Sequence, residues 1–493
     1  MPKELTNRQT LYRAISRRDS RYDGRVYVAV KSTGIYCRPI CQAKRPKLEN
    51  CLFYLLAAQA EKNGYRPCRL CRPELAPENT AFRHPADAKF LLAARAMRRI
   101  EDGVLMVKTL EALAEEFGVT GRELGDMFDA RFGVSPSELA QTRRLGQAKQ
   151  LLTETTTGIN EIASGAGFPG LRQFNHIFKK VYRASPKELR GTSSRKISAQ
   201  PDVQRLRIDY RPPFNWQCLS DFLRMRAIPG VEYVDSRCYF RAVKFDNHLG
   251  WISVEPSPDE KLNALQLTLS NNLMPVALAL TSRVKNMFDV RANIDEIERQ
   301  LNRDPELKPF VKKHRGMRLP GAFDGFELLL RAILGQQISV KAATTLAGRF
   351  AQAYGTPINT PYENLNVSTP QAEAIAETSV ETIRALGLPL KRAQTIKRAA
   401  CLIAEGAIEL VPGADPVAVA TELVKIPGIG EWTADYVAMR ALAWPDAFPS
   451  GDLGVKKALG LTRRREIIER ATHWRPWRGY ATLHLWLSLA SKR

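Results

Sequence analysis

Leu423-Val-Lys-Ile-Pro427-Gly428-Ile429-Gly430-Glu-Trp432-Thr-Ala434 decides how the C-terminal half of this chain reads. A Gly-rich turn interrupts an apolar run and opens at once into an amphipathic helix. Gly428 and Gly430 permit a backbone that leaves N–H groups exposed at a helix N-terminus, an arrangement that suits a phosphate. Past Gly430, Phe448-Pro-Ser-Gly-Asp452-Leu-Gly-Val-Lys-Lys457 sets an aspartate just after a Pro/Gly loop. Asp452 can cap the helix that starts at Leu453, and its distance from the hairpin also makes it a candidate for chemistry.

Around this stretch the apolar spacing is helical from 289 to 493, as in Phe326–Leu334 and Thr433–Ala443. Residues 203–288 carry strand-like runs, Cys238–Val243 and Leu262–Leu269, and read as α+β. Residues 191–202 are polar and turn-rich, the best linker in the chain. Residues 84–190 read as all helical, and residues 1–80 as a small α+β unit rich in loops, with a short apolar run at Val26–Val30. The chain of 493 residues is too long for one core, so a multidomain fold follows.

The formal net charge is +23. Residues 1–200 hold 35 Lys+Arg against 20 Asp+Glu, and the rest hold 39 against 31. An excess of this size favours a polyanionic partner, because basic side chains on phosphates release condensed counterions. No stretch is long and apolar enough for a membrane span, and the N-terminus lacks a secretory h-region, so a cytoplasmic, nucleoid-associated location is expected.

The segments Pro212–Trp216, Phe222–Val231, Arg331–Ser339 and Trp474–Ala481, with the hairpin and Asp452, resemble 3-methyladenine DNA glycosylase II of the helix–hairpin–helix superfamily. The resemblance spans 203–493. It implies double-stranded DNA carrying alkylated bases as substrate, Asp452 as catalytic carboxylate, and Trp432, Tyr436 and Trp486 as the base pocket. Glycosylases of this superfamily that also cut the backbone carry a lysine where Trp432 stands, so a monofunctional, water-using enzyme is expected. Gln337 takes the place of the family's apolar wedge. The Cys-rich tail of iron–sulfur relatives is missing, so no such cluster is expected. The rival reading is a regulatory DNA-binding protein with an inactive glycosylase half.

Cys37-x3-Cys41 and Cys68-x2-Cys71 supply four thiolates in two close pairs, the donor set of a tetrahedral Zn2+ site. Thr33-Gly-Ile-Tyr-Cys37-Arg-Pro-Ile-Cys41 and Tyr65-Arg-Pro-Cys68-Arg-Leu-Cys71-Arg-Pro73 resemble the N-terminal domain of Ada proteins. That resemblance implies that Cys37, besides ligating one zinc, takes a methyl group from a DNA methylphosphotriester. Thiolate to thioether lowers the formal charge of the cluster from −2 to −1, so DNA affinity would rise after methylation. By the same resemblance Thr33, Lys44 and Arg66 contact the DNA backbone, while Gln42 departs from the usual basic residue.

Between these halves, Gly133-Val-Ser-Pro-Ser-Glu-Leu139 recurs as Arg183-Ala-Ser-Pro-Lys-Glu-Leu189, each with a capping box and Pro at the first helical position. Leu110–Leu124 and Ile159–Phe168 have the helix–turn–helix cadence. Two such units joined by a helix near Glu138–Leu152 resemble the AraC-type DNA-binding domain, with recognition helices near 120–130 and 170–180. Promoter DNA and RNA polymerase are the partners this implies. Pro-Cys-His-Arg, the mark of the Ada O6-alkylguanine methyltransferase domain, does not occur.

Overall fold

The computed structural model describes residues 7–78, 88–191 and 202–490. The linker expected at 191–202 lies outside them except for its two end residues. The chain forms two compact units. One comprises residues 1–212, 257–282 and 290–293, the other 213–256, 283–289 and 294–493. The stretch 203–288 is therefore shared between them.

In the first unit, β1 (Tyr27–Val30), β2 (Ile35–Cys37), β3 (Cys51–Tyr54) and β4 (Arg66–Pro67) form a sheet of order β3-β1-β2-β4. β1 pairs antiparallel with β2 and β3, while β4 runs parallel to β2. This topology brings Cys37, at the end of β2, beside the Cys68–Cys71 turn that follows β4. Helices of the next segment start at side-chain caps where the sequence supplies them. Thr120 and Glu123 form a reciprocal box before Gly121–Phe132, and Ser135 and Glu138 form another before Pro136–Glu154. Leu124, Phe128, Phe132 and Leu139 then close a core with Met97 and Ile100.

The repeat holds in three dimensions. Gly121–Phe132 and Leu171–Tyr182 are the second helices of the two units, and each ends in a left-handed residue, Gly133 at φ 63° and Arg183 at φ 53°. Ala114 and Ala163 are buried where the helices of each unit cross. Phe168 and Phe174 are buried 5.1 Å apart, as core residues. The long helix Pro136–Glu154 also packs on β5 (Val203–Asp209), which pairs antiparallel with β9 (Ala264–Ser270).

In the second unit, β6 (Glu232–Val234), β7 (Tyr239–Phe245) and β8 (His248–Pro256) form an antiparallel meander. The helix Gly325–Leu334 is almost wholly buried and packs against Glu431–Arg440. The last helix, Arg478–Ala490, packs on Leu453–Leu459. These contacts hold the hairpin, the Asp452 loop and Trp486 together.

Candidate active site and metal centre

The hairpin lies between the helices Pro416–Val424 and Glu431–Arg440. Its two glycines are not equivalent. Gly428 has φ 93°, and a Cβ there would fall 2.2 Å from Thr395 Oγ1, so both conformation and space demand glycine. Gly430 has ordinary φ, open space, and caps the second helix. Thr395 Oγ1 donates to Pro427 O at 2.7 Å and Gln336 Nε2 to Gly428 O at 3.0 Å, which fix the turn from outside.

Asp452 caps Leu453–Leu459, as its position suggests, with Oδ1 accepting from Val455 N at 2.9 Å. The same Oδ1 accepts from Trp486 Nε1 at 2.9 Å, and Oδ2 accepts from Trp432 Nε1 at 2.9 Å. Three neutral donors thus fix the carboxylate without neutralising it. Oδ2 keeps a lone pair for another donor. Gly454 makes the arrangement possible, because a Cβ there would lie 2.9 Å from both Asp452 Oδ1 and Trp486 Cδ1.

Trp432 also stacks on Tyr436, with centroids 5.5 Å apart and planes 10° from parallel, and Trp486 lies 6.4 Å from Tyr436. All three aromatics named from the sequence come together around the carboxylate. Sequence reading missed that the two indole nitrogens orient Asp452. It also missed Arg440, whose Nη1 donates to Tyr436 Oη at 2.6 Å, and Arg226, which lies 3.8 Å over the Phe222 ring. Burial pushes the Tyr436 phenol up, but Arg440 and Arg226 outweigh it and hold the phenol below its usual range. Nothing in the sequence spacing marks these arginines.

Gln337 is exposed and left-handed, φ 60°, in the loop Gly335–Ser339 that ends the helix Gly325–Leu334. Gln336 beside it is anchored to Gly428 O and Thr433 Oγ1, and Arg392 donates to Gln336 O at 2.8 Å. The loop is thereby tied to the hairpin.

In the first unit, the sulfurs of Cys37, Cys41, Cys68 and Cys71 lie within 4.8 Å of one another. Four converging thiols fit a tetrahedral zinc, and the cluster is a four-cysteine zinc site. Arg38 follows Cys37 and is 2% exposed. Its backbone N–H points to Cys71 Sγ at 3.3 Å, while its guanidinium bridges Asp23 (Nε–Oδ1, 2.8 Å) and Asp209 (Nη1–Oδ2, 2.7 Å). Arg72 follows Cys71 and binds Glu74 at 3.0 Å and Glu154 at 2.6 Å. The residue after each of these two ligands is thus a half-buried or buried cation fixed to neighbouring elements. Thr33 is exposed in the β1–β2 turn, and Arg66 pairs with Ile35 next to it. Lys44 is exposed on the loop after Cys41.

The two recognition helices differ in charge. Leu171–Tyr182 exposes Arg172, His176, Lys179 and Lys180, whereas Gly121–Phe132 exposes Arg122 together with Glu123, Asp126 and Asp129.

Four family models match the chain: the metal binding domain of Ada over 10–74, a helix-turn-helix domain over 113–192, the AlkA N-terminal domain over 205–324, and the HhH-GPD superfamily base excision DNA repair protein over 330–471. Fold and site together define the class: an Ada-type zinc and helix–turn–helix half joined to a helix–hairpin–helix base-excision half. The "Probable bifunctional transcriptional activator/DNA repair enzyme AlkA" of Mycobacterium tuberculosis is 36% identical over 485 residues, covering 97% of this chain and 96% of its own. The chain belongs to that family of bifunctional proteins. DNA-3-methyladenine glycosylase 2 of Escherichia coli is 35% identical over 280 residues, 57% of this chain and 95% of its own. The "Bifunctional transcriptional activator/DNA repair enzyme Ada" of Escherichia coli is 34% identical over 158 residues, 32% of this chain and 42% of its own. Among the described residues no helix is long and apolar enough to cross a membrane.

Proposed function

We propose that this protein is an alkylation-response fusion. Its C-terminal half is a monofunctional DNA glycosylase that hydrolyses the N-glycosidic bond of bases of the 3-methyladenine and 7-methylguanine type. Its N-terminal half takes a methyl group at Cys37 from DNA methylphosphotriesters and then activates transcription. The observation that carries the first part is Asp452, held between two indole N–H groups just past the hairpin.

The damaged base must leave the stack before reaction. Gly428 and Gly430 hold the backbone of the bound strand, and Gln337 enters the gap the base leaves. Trp432, Tyr436 and Trp486 supply ring faces, which attract an N-alkylated, cationic base. As the C1′–N bond lengthens, positive charge builds on the sugar, opposite a carboxylate whose oxygens are already fixed. The free lone pair of Oδ2 orients a water and takes its proton as the water adds to C1′. Trp432, having no amine, cannot form a Schiff base, so the product is an abasic site in an uncut strand.

At the other centre, bound Zn2+ keeps the four sulfurs as thiolates at neutral pH. Cys37 Sγ attacks the phosphotriester methyl; the S–C bond forms, the C–O bond breaks, and the phosphodiester departs with the electron pair. The loss of one negative charge strengthens DNA binding, with Thr33, Lys44 and Arg66 on the backbone. The helix–turn–helix pair then holds promoter DNA for RNA polymerase, at the nucleoid in the cytoplasm.

The test is incubation with methylated DNA. Release of 3-methyladenine and 7-methylguanine by the native chain, lost in Asp452→Asn, supports the reading; release unaffected by the substitution overturns it. For the second part, the Cys37 peptide gains one methyl after exposure to methylphosphotriester DNA; an unshifted peptide overturns it.

A further inference from the structure

The wall behind Tyr436 is strongly cationic. Arg226, Arg241, Arg331 and Arg440 line one small cavity with Glu232 and Glu327, four positive charges against two negative. The two carboxylates are committed elsewhere. Glu232 binds Arg241 at 3.0 Å and Arg331 at 3.2 Å, and Glu327 also binds Arg241. Among the described residues, no carboxylate is bonded to Arg226 or Arg440. Arg440 is held by backbone carbonyls, Pro320 O at 2.8 Å and Gly321 O at 3.0 Å, and both arginines lie over the Phe222 ring, at 3.8 and 5.0 Å.

Such a wall is unfavourable for a pocket that receives only cationic bases, because like charges repel. It suits the opposite case. Heterolysis of a neutral nucleoside puts a positive charge on the sugar and a negative one on the departing base. Trp432 touches Asp452 through its nitrogen edge and Tyr436 through its face. A carboxylate and an arginine-backed phenol therefore flank one aromatic stack. Because Tyr436 Oη accepts from Arg440, its own proton is directed away from that arginine and is available to an acceptor.

We infer that the Arg226–Tyr436–Arg440 cluster is the base-end counterpart of Asp452, stabilising the negative charge on a departing neutral base and so extending excision beyond cationic lesions. The inference rests on the glycosylase reading. The C1′–N bond breaks with its electron pair going to the base. The anion is held by the phenolic O–H and the arginine field, and takes a proton from solvent. Water adds to C1′ and gives its proton to Asp452. Arg226 and Arg440 act through Tyr436 and are positioning residues.

The experiment compares single-turnover release of hypoxanthine, a neutral base, with release of 7-methylguanine, a cationic one, from otherwise identical duplexes. The full-length chain and its Arg226→Gln, Arg226→Lys, Tyr436→Phe and Asp452→Asn variants are used. The hypoxanthine-to-7-methylguanine rate ratio is expected to fall by at least about tenfold in Arg226→Gln and Tyr436→Phe, the scale of losing one donor to a developing anion. It should stay within about threefold in Arg226→Lys, which keeps the charge. A structural role alone would lower both rates together and leave the ratio unchanged. An unchanged ratio in Arg226→Gln and Tyr436→Phe overturns the inference, as does a native chain that releases 7-methylguanine but no hypoxanthine. In both cases, Asp452-dependent release of 7-methylguanine would leave the glycosylase reading standing, whereas release indifferent to Asp452→Asn would sink that reading itself.

Discussion

Trp432 Nε1 donates to Asp452 Oδ2 at 2.9 Å, so the residue that stands where a lyase would carry its lysine orients the carboxylate instead. One side chain thereby serves as pocket face and as the group that aims Asp452. Trp432→Phe separates the two, because it keeps an aromatic face and removes the donor. Single-turnover release of 7-methylguanine should fall about tenfold to a hundredfold while affinity for damaged duplex changes by less than about fivefold. An unaltered rate would mean that Asp452 needs no support from this side.

The hairpin glycines should respond unequally. Gly428→Ala forces a Cβ onto Thr395 at a positive φ, and a loss of about 2 kcal/mol or more in stability is expected. Gly430→Ala meets open space and ordinary backbone and should change stability by less than about 0.5 kcal/mol. Thermal unfolding of the two variants checks the difference.

The charge contrast between the recognition helices predicts unequal shares of DNA binding. Lys179→Gln and Arg172→Gln, on the basic face, should weaken binding and reduce the slope of log K against log salt by about one each. Asp126→Asn and Asp129→Asn, on the first helix, should leave binding unchanged or strengthen it. Titrations at several salt concentrations decide.

Acid sensitivity should localise at Asp304. Burial pushes this carboxyl up, but Arg470 and the Trp474 indole N–H, 2.6 Å away, outweigh it and hold it at about 2, below its ordinary value of 3.8. A depressed carboxylate contributes stability that is complete above the unfolded-state value and vanishes as pH falls through the folded one. The difference in Tm between the native chain and Asp304→Asn should therefore be full at neutral pH and shrink between about pH 4 and 2.

Much of this was legible in the sequence because its signals are local. Capping boxes at Ser135 and Ser185, the Gly428 turn, and the paired cysteines each declare themselves within a few residues. The two recognition helices fall where periodicity puts them, at 121–132 and 171–182. What escaped depends on contacts distant in sequence. Arg38 reaches Asp209, and Arg226 lies on the ring of Phe222 beside a phenol more than two hundred positions away. Arg183 escaped for another reason. It takes the left-handed position that Gly133 fills in the first repeat, a conformation no one would assign to arginine from its type alone.

The most direct measurement is the fate of a duplex holding one 7-methylguanine. The native chain should release the base and leave an abasic site in an intact strand, cut only on later alkali, with no borohydride-trapped adduct. Asp452→Asn should slow release by at least about a hundredfold. A trapped covalent adduct, strand cutting without alkali, or a fully active Asp452→Asn would contradict water-using excision directed by Asp452.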